Sequence, residues 1–327
     1  MKSIFPALFA TIVGISTCSS VWAQQPSKVP NIGYLAFGTL ATEMDRNEAL
    51  RQGLRELGYT EGKNITIEWR FAEGKLDRFP VLAAELVNLK VDMLVTAGPI
   101  ATGAAKQATS TIPIVMTQDS DPVGAGFVAS LARPGGNITG LSSYAPELSG
   151  KRLEILKEIT PRLSRVAVLG TWSVPGFAEM KKGLDLAAKA LKLQLQYLDV
   201  RDAQEIESAF QAAVKARADA VITLTSGVLV AHRPETAELA VKHRLPAIYH
   251  FSSFVEDGGL MFYGPNVFDL SRRAATYVDK ILKGRTPADL PVEQPKKFDF
   301  FVNLKAAKKI GLTIPPNVLV RADRVIK

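Results

Sequence analysis

Residues 91–117 read VDMLVTAGPIATGAAKQATSTIPIVMT. The nearly continuous apolar run at 91–96 fits a strand buried on both faces. Small residues follow at 97–102, then an Ala-rich helical stretch at 100–108, then a second apolar run at 112–117. Strand, helix and strand in so short a span make a βαβ unit, whose two strands run parallel.

The alternation continues on both sides of this unit. Residues 32–37 read as a strand. Residues 43–57 carry Leu50, Leu54 and Leu57 at helical spacing, and Gly58 ends the run. Residues 65–71 alternate, and Phe79, Leu82, Leu86 and Leu89 share one helical face. Asp121 and Pro122 open an expected helix reaching Leu131, with Pro in the first turn. After a Pro/Gly turn at 133–137 and a strand at 138–142, the pattern restarts near Ser149 and runs on to a late strand at 298–302. Repeated β-α units predict an α/β protein of two doubly wound, parallel-sheet lobes, with a join near 142–149. Ligands of such sheets sit at the carboxyl ends of the strands, so two facing lobes enclose a cleft that a hinge can close.

The N-terminus reads as an export signal over residues 1–23. Lys2 is the basic end, residues 4–13 the apolar core, and Val21-Trp22-Ala23 a small-residue cleavage site. The stretch is too short for a spanning helix. The expected location is the periplasm. Cys18, the single cysteine, follows Ile15-Ser16-Thr17, and lipid anchoring through it is the lesser alternative, since Thr17 fits a lipidation box poorly. The chain has 40 Lys and Arg against 32 Asp and Glu, a net +8. These charges are scattered, without the dense stripe and interleaved aromatics of many nucleic-acid binders.

No catalytic constellation stands out. His232, His243 and His250 lack metal-ligand spacing, so no metal is expected. A nucleophile elbow and a Walker A loop are absent, and Gly124 and Gly126 begin a dinucleotide fingerprint without its third glycine. No cofactor and no enzyme activity are expected. The strand-end loops carry the functional reading instead. In the first half they hold Phe37 with Thr39, Ala97 with Gly98, and Gln118 with Asp119; in the second, Thr171 with Trp172, Thr225 with Ser226, and His250 with Phe251. Rings with a few placed hydroxyls and carboxylates suit a small-molecule pocket. Each Ser or Thr has a plainer role as a helix cap, and Trp172 and Phe251 a plainer role in the core.

Two long stretches carry a family likeness. They are SDPVGAGFVASLARPGGNITG (120–140) and the segment 281–326, which holds ILKGRTPADLPVEQP and NLKAAKKIGLTIPPNVLVRADRVI. Both resemble the ABC transporter substrate-binding protein family that includes tryptophan- and tyrosine-type binding proteins, the TrpX-like group. The resemblance implies a type I periplasmic-binding-protein fold whose lobes are joined by three crossovers, near 142–149, 264–266 and 290–295. The first lobe would be 30–142 plus 266–292, and the second 149–263 plus 296–327. It implies a small-molecule ligand, ABC permease and ATPase subunits as partners, peripheral contact with the membrane through the permease, and a monomer. It also carries over Thr39, Ala97, Gly98, Asp119, Ser142, Thr171, Ser226 and Glu256 as pocket positions. Relatives that take aromatic amino acids tend to be small around Met261-Phe262-Tyr263-Gly264, so the bulk of Phe262 and Tyr263 would argue against such a cargo. A ligand sensor feeding a signalling partner, and an exported hydrolase or lyase, are the alternative functions.

Overall fold

The structure, a computed structural model, describes residues 28–143, 147–175 and 177–327. The expected export signal over 1–23, Cys18, and part of the 142–149 join lie outside the described residues.

The first lobe is built from β1 (Asn31–Ala36), α1 (Leu40–Glu56), β2 (Thr66–Phe71), α2 (Phe79–Asn88), β3 (Met93–Ala97), α3 (Pro99–Ala108), β4 (Ile114–Asp119) and β5 (Ile138–Ser142). Its described strands form a parallel sheet in the order β2-β1-β3-β4-β5. The inner strands β3 and β4 are buried at every position, as near-continuous apolar runs require. The chain then builds α4 (Glu147–Ile159), β6 (Arg165–Gly170), α5 (Phe177–Leu191), β7 (Gln194–Asp199), α6 (Gln204–Lys215), β8 (Ala220–Thr223), α7 (Gly227–Ala231), α8 (Arg233–Lys242), β9 (Ala247–Tyr249), α9 (Ser253–Glu256) and β10 (Met261–Pro265). Next come α10 (Val267–Leu282), β11 (Phe298–Asn303), α11 (Leu304–Ile310), α12 (Pro316–Leu319) and β12 (Arg324–Ile326). The second sheet runs β12-β11-β10-β9-β8-β6-β7.

The lobes are interleaved in sequence. α10 leaves the second sheet and packs against α1 and β4 of the first. The segment after it runs along β5, where the Ser142 N–H donates to the Glu293 carbonyl and Thr139 Oγ1 to that of Leu290. The chain then returns as β11. Because it re-enters from the other lobe, β11 lies antiparallel to β10, the exception in two otherwise parallel sheets.

Three readings of the sequence shift. Residues 122–131 form turns and not the expected helix: the Asp121 carboxylate accepts the Gly124 N–H at 2.9 Å, and Gly126, at φ +67°, breaks the spiral after one turn. α1 begins at Leu40, three residues early, because Thr39 and Thr42 form a capping box with Thr in place of the usual Glu. Phe262 and Tyr263 are sheet residues of the second lobe. Phe262 packs edge-on to Phe301, and Tyr263 stacks on Phe298, so their bulk does not bear on the cargo.

Candidate functional site

Each sheet reverses its direction of growth once near one edge, between β1 and β3 in the first lobe and between β6 and β8 in the second. A crevice opens at the carboxyl ends of such strand pairs. Phe37, Ala97 and Gly98 leave the first switch point; Thr171, Leu224 and Thr225 leave the second. The lobes meet there. The Phe37 ring lies so close to Gly227 that a Cβ on the glycine would stand 2.5 Å from it. The Arg46 guanidinium of α1 sits over the Phe251 ring of the second lobe, 4.8 Å from its centre.

Two adjoining compartments fill the space between. The larger, about 780 Å³ with its open mouth, mixes apolar groups such as Leu148, Met180 and Val267 with the side chains of Gln118, Ser120, Ser149, Arg152, Glu179 and His250. The smaller, about 490 Å³, is walled by Phe37, Phe79, Ile100, Val174, Val230 and Phe251, with Glu43 and Arg46 at its side. Gly98, Pro99, Gln118, Thr225 and Phe251 line both, so the compartments share a wall. Gly98 turns the chain into α3 at φ +96°, and the space where a side chain would stand is empty.

The structure brings Phe37, Ala97, Gly98, Ser226 and Phe251 together in this cleft. It places the other expected residues elsewhere. Thr39 caps α1. Asp119 is fully buried beneath the wall, where Thr102 Oγ1 donates to its Oδ2 at 2.9 Å. Burial raises its pKa to about 8, against the lowering effect of that hydrogen bond, so the carboxyl is largely protonated at neutral pH. Ser142 donates to the Asp119 carbonyl. Thr171 donates to the Val200 carbonyl and shares a 2.7 Å hydrogen bond with Ser226, one layer below the surface. Trp172 is 42% exposed and packs on Phe177 and Tyr197 outside the cleft lining. Glu256 pairs with Arg324 at 2.6 Å on the surface.

Two further groups line the larger compartment: Arg152, which nothing in the sequence marked, and His250, which the sequence placed in a strand-end loop but not among the expected pocket positions. Arg152, on the second turn of α4, is 7% exposed. Its Nε donates to the Tyr263 carbonyl at 2.7 Å, and burial lowers its pKa to about 10. Among the described residues no carboxylate pairs with it. His250, 5% exposed, is held by Thr223 through Nδ1 at 2.8 Å, while its Nε2 has no partner. Burial, then the charges of Arg152 and Arg46, hold its pKa well below the usual histidine range, so the ring is neutral. Gln118 Oε1 and Ser120 Oγ are also buried without partners. Arg46 is paired at 3.1 Å with Glu43, and both side chains are nearly enclosed. His250 and Gln118 stand in the strand-end loops where a search would begin; Arg152 sits on a helix with no local motif to mark it.

The family model described as ABC transporter substrate binding protein matches residues 42–326. The chain is 27% identical over 323 residues to a tyrosine-binding protein of Clostridioides difficile strain R20291, covering 95% of this chain and 93% of that one. A crystal structure of an ABC domain in complex with L-Trp from Streptococcus pneumoniae superposes with a TM-score of 0.85 at 26% identity, covering 91% of this chain and 99% of that one. The ligand-free, open structure of a substrate binding protein with adhesive properties from Clostridium difficile superposes with a TM-score of 0.66 at 25% identity, covering 91% and 100%.

Proposed function

Since the chain belongs to the ABC transporter substrate-binding protein family, we propose that it is the extracytoplasmic solute receptor of an ABC uptake system. It captures one small organic molecule, an amino acid, aromatic acid or similar compound, between its lobes. Permease and ATPase subunits would receive it. The observation that carries this reading is the set of buried polar atoms left unmatched around one cavity: Gln118 Oε1, Ser120 Oγ and His250 Nε2. Buried polar atoms are almost always paired, so a cluster of exceptions facing one space marks where a ligand or ordered water supplies the missing partners.

The arrangement works by closure. Gln118 and Ser120 belong to the first lobe, Arg152 and His250 to the second, and they surround one space only when the lobes meet. Bringing them together without a ligand strands polar groups away from water, which costs on the order of 1–3 kcal/mol each. A ligand that satisfies them removes that cost and shifts the population toward the closed form. The higher TM-score with the L-Trp complex than with the ligand-free open relative agrees with a closed arrangement here.

Mass spectrometry of the purified protein under native and then denaturing conditions tests the reading. One small molecule per chain, released unchanged, is the expected result, together with a smaller radius of gyration in solution scattering when it is added back. Steady consumption of the released molecule by the protein would instead favour a hydrolase or lyase.

A further inference from the structure

We propose that the cleft selects an aromatic monocarboxylate that lacks an α-ammonium group, with its carboxylate on Arg152 and His250 and its ring in the compartment walled by Phe37, Phe79 and Phe251. This rests on the solute-receptor reading above and names the substrate class of that site.

The carboxylate follows from Arg152. The residue is 7% exposed and lines the larger compartment, and among the described residues its guanidinium has one acceptor, the Tyr263 carbonyl on Nε. A buried guanidinium without a counter-ion is costly, and a carboxylate matches its planar fork in two parallel hydrogen bonds. His250 supplies a further donor. Thr223 Oγ1 is fully buried and already accepts the His250 backbone N–H at 3.1 Å. The partner left for its own hydrogen is His250 Nδ1, at 2.8 Å. With Thr223 donating to Nδ1, the ring hydrogen is assigned to Nε2, the unpartnered nitrogen of a residue that lines the same compartment.

The ring follows from the smaller compartment, which adjoins the first at Phe251, Gly98 and Thr225. Phe37 and Phe79 stack there with centres 6.1 Å apart, and Ile100, Val174 and Val230 complete an apolar wall. A flat apolar body fits such walls.

The missing ammonium follows from the carboxylates. Glu43 is tied to Arg46 at 3.1 Å, and both are nearly enclosed, so its charge is already balanced. Asp119 lies behind the wall with Thr102 on its Oδ2. Glu179, the remaining carboxylate among the described lining residues, is half exposed and 3.9 Å from Lys182, so water and a lysine already support its charge. An ammonium would lose its hydration near Arg152 and Arg46, with no enclosed unpaired anion among the described residues to replace it.

Isothermal titration of the wild-type protein with matched probes tests this: 3-(4-hydroxyphenyl)propanoate, L-tyrosine, which adds the ammonium, and the methyl ester of the propanoate, which removes the charge. The propanoate should bind at least tenfold tighter than L-tyrosine, and the ester should bind at least 100-fold more weakly than the acid. Arg152→Met should lose at least 100-fold toward the acid, and Arg152→Lys should recover part of it. L-tyrosine binding tighter than its des-amino counterpart, or the ester matching the acid, overturns the proposal on folded wild-type protein. If another small molecule is retained while every aromatic acid fails, this proposal falls and the receptor reading stands. If no small molecule is held at all, both fall.

Discussion

In the first lobe the polar groups at the strand ends mostly turn inward. Thr96, Thr102 and Asp119 form a hydrogen-bonded chain under the surface, Ser142 binds the Asp119 backbone, and Arg46 is balanced by Glu43. In the second lobe Thr171 and Ser226 are bound to each other, yet the charge of Arg152 and the Nε2 of His250 are left open to the cavity. One wall settles its charges within itself; the other does not. The difference divides the work: the first lobe supplies shape, apolar surface and the neutral polar groups of Gln118 and Ser120, and the second supplies the charge that a ligand must answer.

The largest effect expected from this division is on stability and not on binding. Asp119 titrates near pH 8 when folded, against 3.8 for the free side chain. The folded state therefore holds a proton that the unfolded state has released between those values. The stability this contributes is complete below about pH 4 and is lost as pH rises through 8. Asp119→Asn should flatten that slope and leave the variant more stable than wild type at pH 8.5, by at most about 6 kcal/mol, with ligand affinity within threefold. Parallel urea-melt profiles from pH 5 to 8.5 would remove Asp119 from this role.

The next effect falls on closure. Gly227→Val forces a side chain into the Phe37 ring across the lobe junction. It should weaken ligand binding by about 100-fold, about 2.7 kcal/mol, with an expanded radius of gyration in scattering and little change in melting temperature. Unchanged affinity would show that Phe37 and Gly227 need not meet for binding.

Thr171→Val separates the layer beneath the wall from the wall itself. It strands the Val200 carbonyl and removes the Ser226 partner. The expected cost is about 1–2 kcal/mol of stability, read by chemical denaturation, with affinity within threefold. A loss of affinity without a loss of stability would put Thr171 in contact with the ligand. Smallest of all is Trp172→Ala. Its ring packs on Phe177 and Tyr197, so calorimetry should find affinity within about twofold. A larger loss would extend the binding wall of the second lobe outward to Trp172.

The fold was legible to the extent that it depends on periodicity. The βαβ unit at 91–117 appears as read, and the restart near Ser149 does begin a second sheet. Residues 122–131 were misread because Asp-Pro followed by apolar residues signals a helix start, while Gly126 overrides it with a conformation that ends the turn. The site was half legible. Phe37, Ala97, Gly98, Ser226 and Phe251 line the cleft because they leave strand ends, and strand ends are readable from apolar runs. Thr39, Asp119, Thr171 and Trp172 leave strand ends too, but each finds a closer partner than the cavity.

The sequence by itself determined the local units, their parallel strands and the family to which the motifs belong, because these rest on neighbours within a few tens of residues. Only the tertiary structure decided which polar side chains were spent in the scaffold and which were left facing the cleft. That depends on partners far along the chain. Arg152 meets the backbone of Tyr263, which removes one of its donors, and no described carboxylate comes near enough to cancel its charge. No spacing in the sequence encodes that absence, which arises only when α4 is laid against β10 and the two lobes close over it.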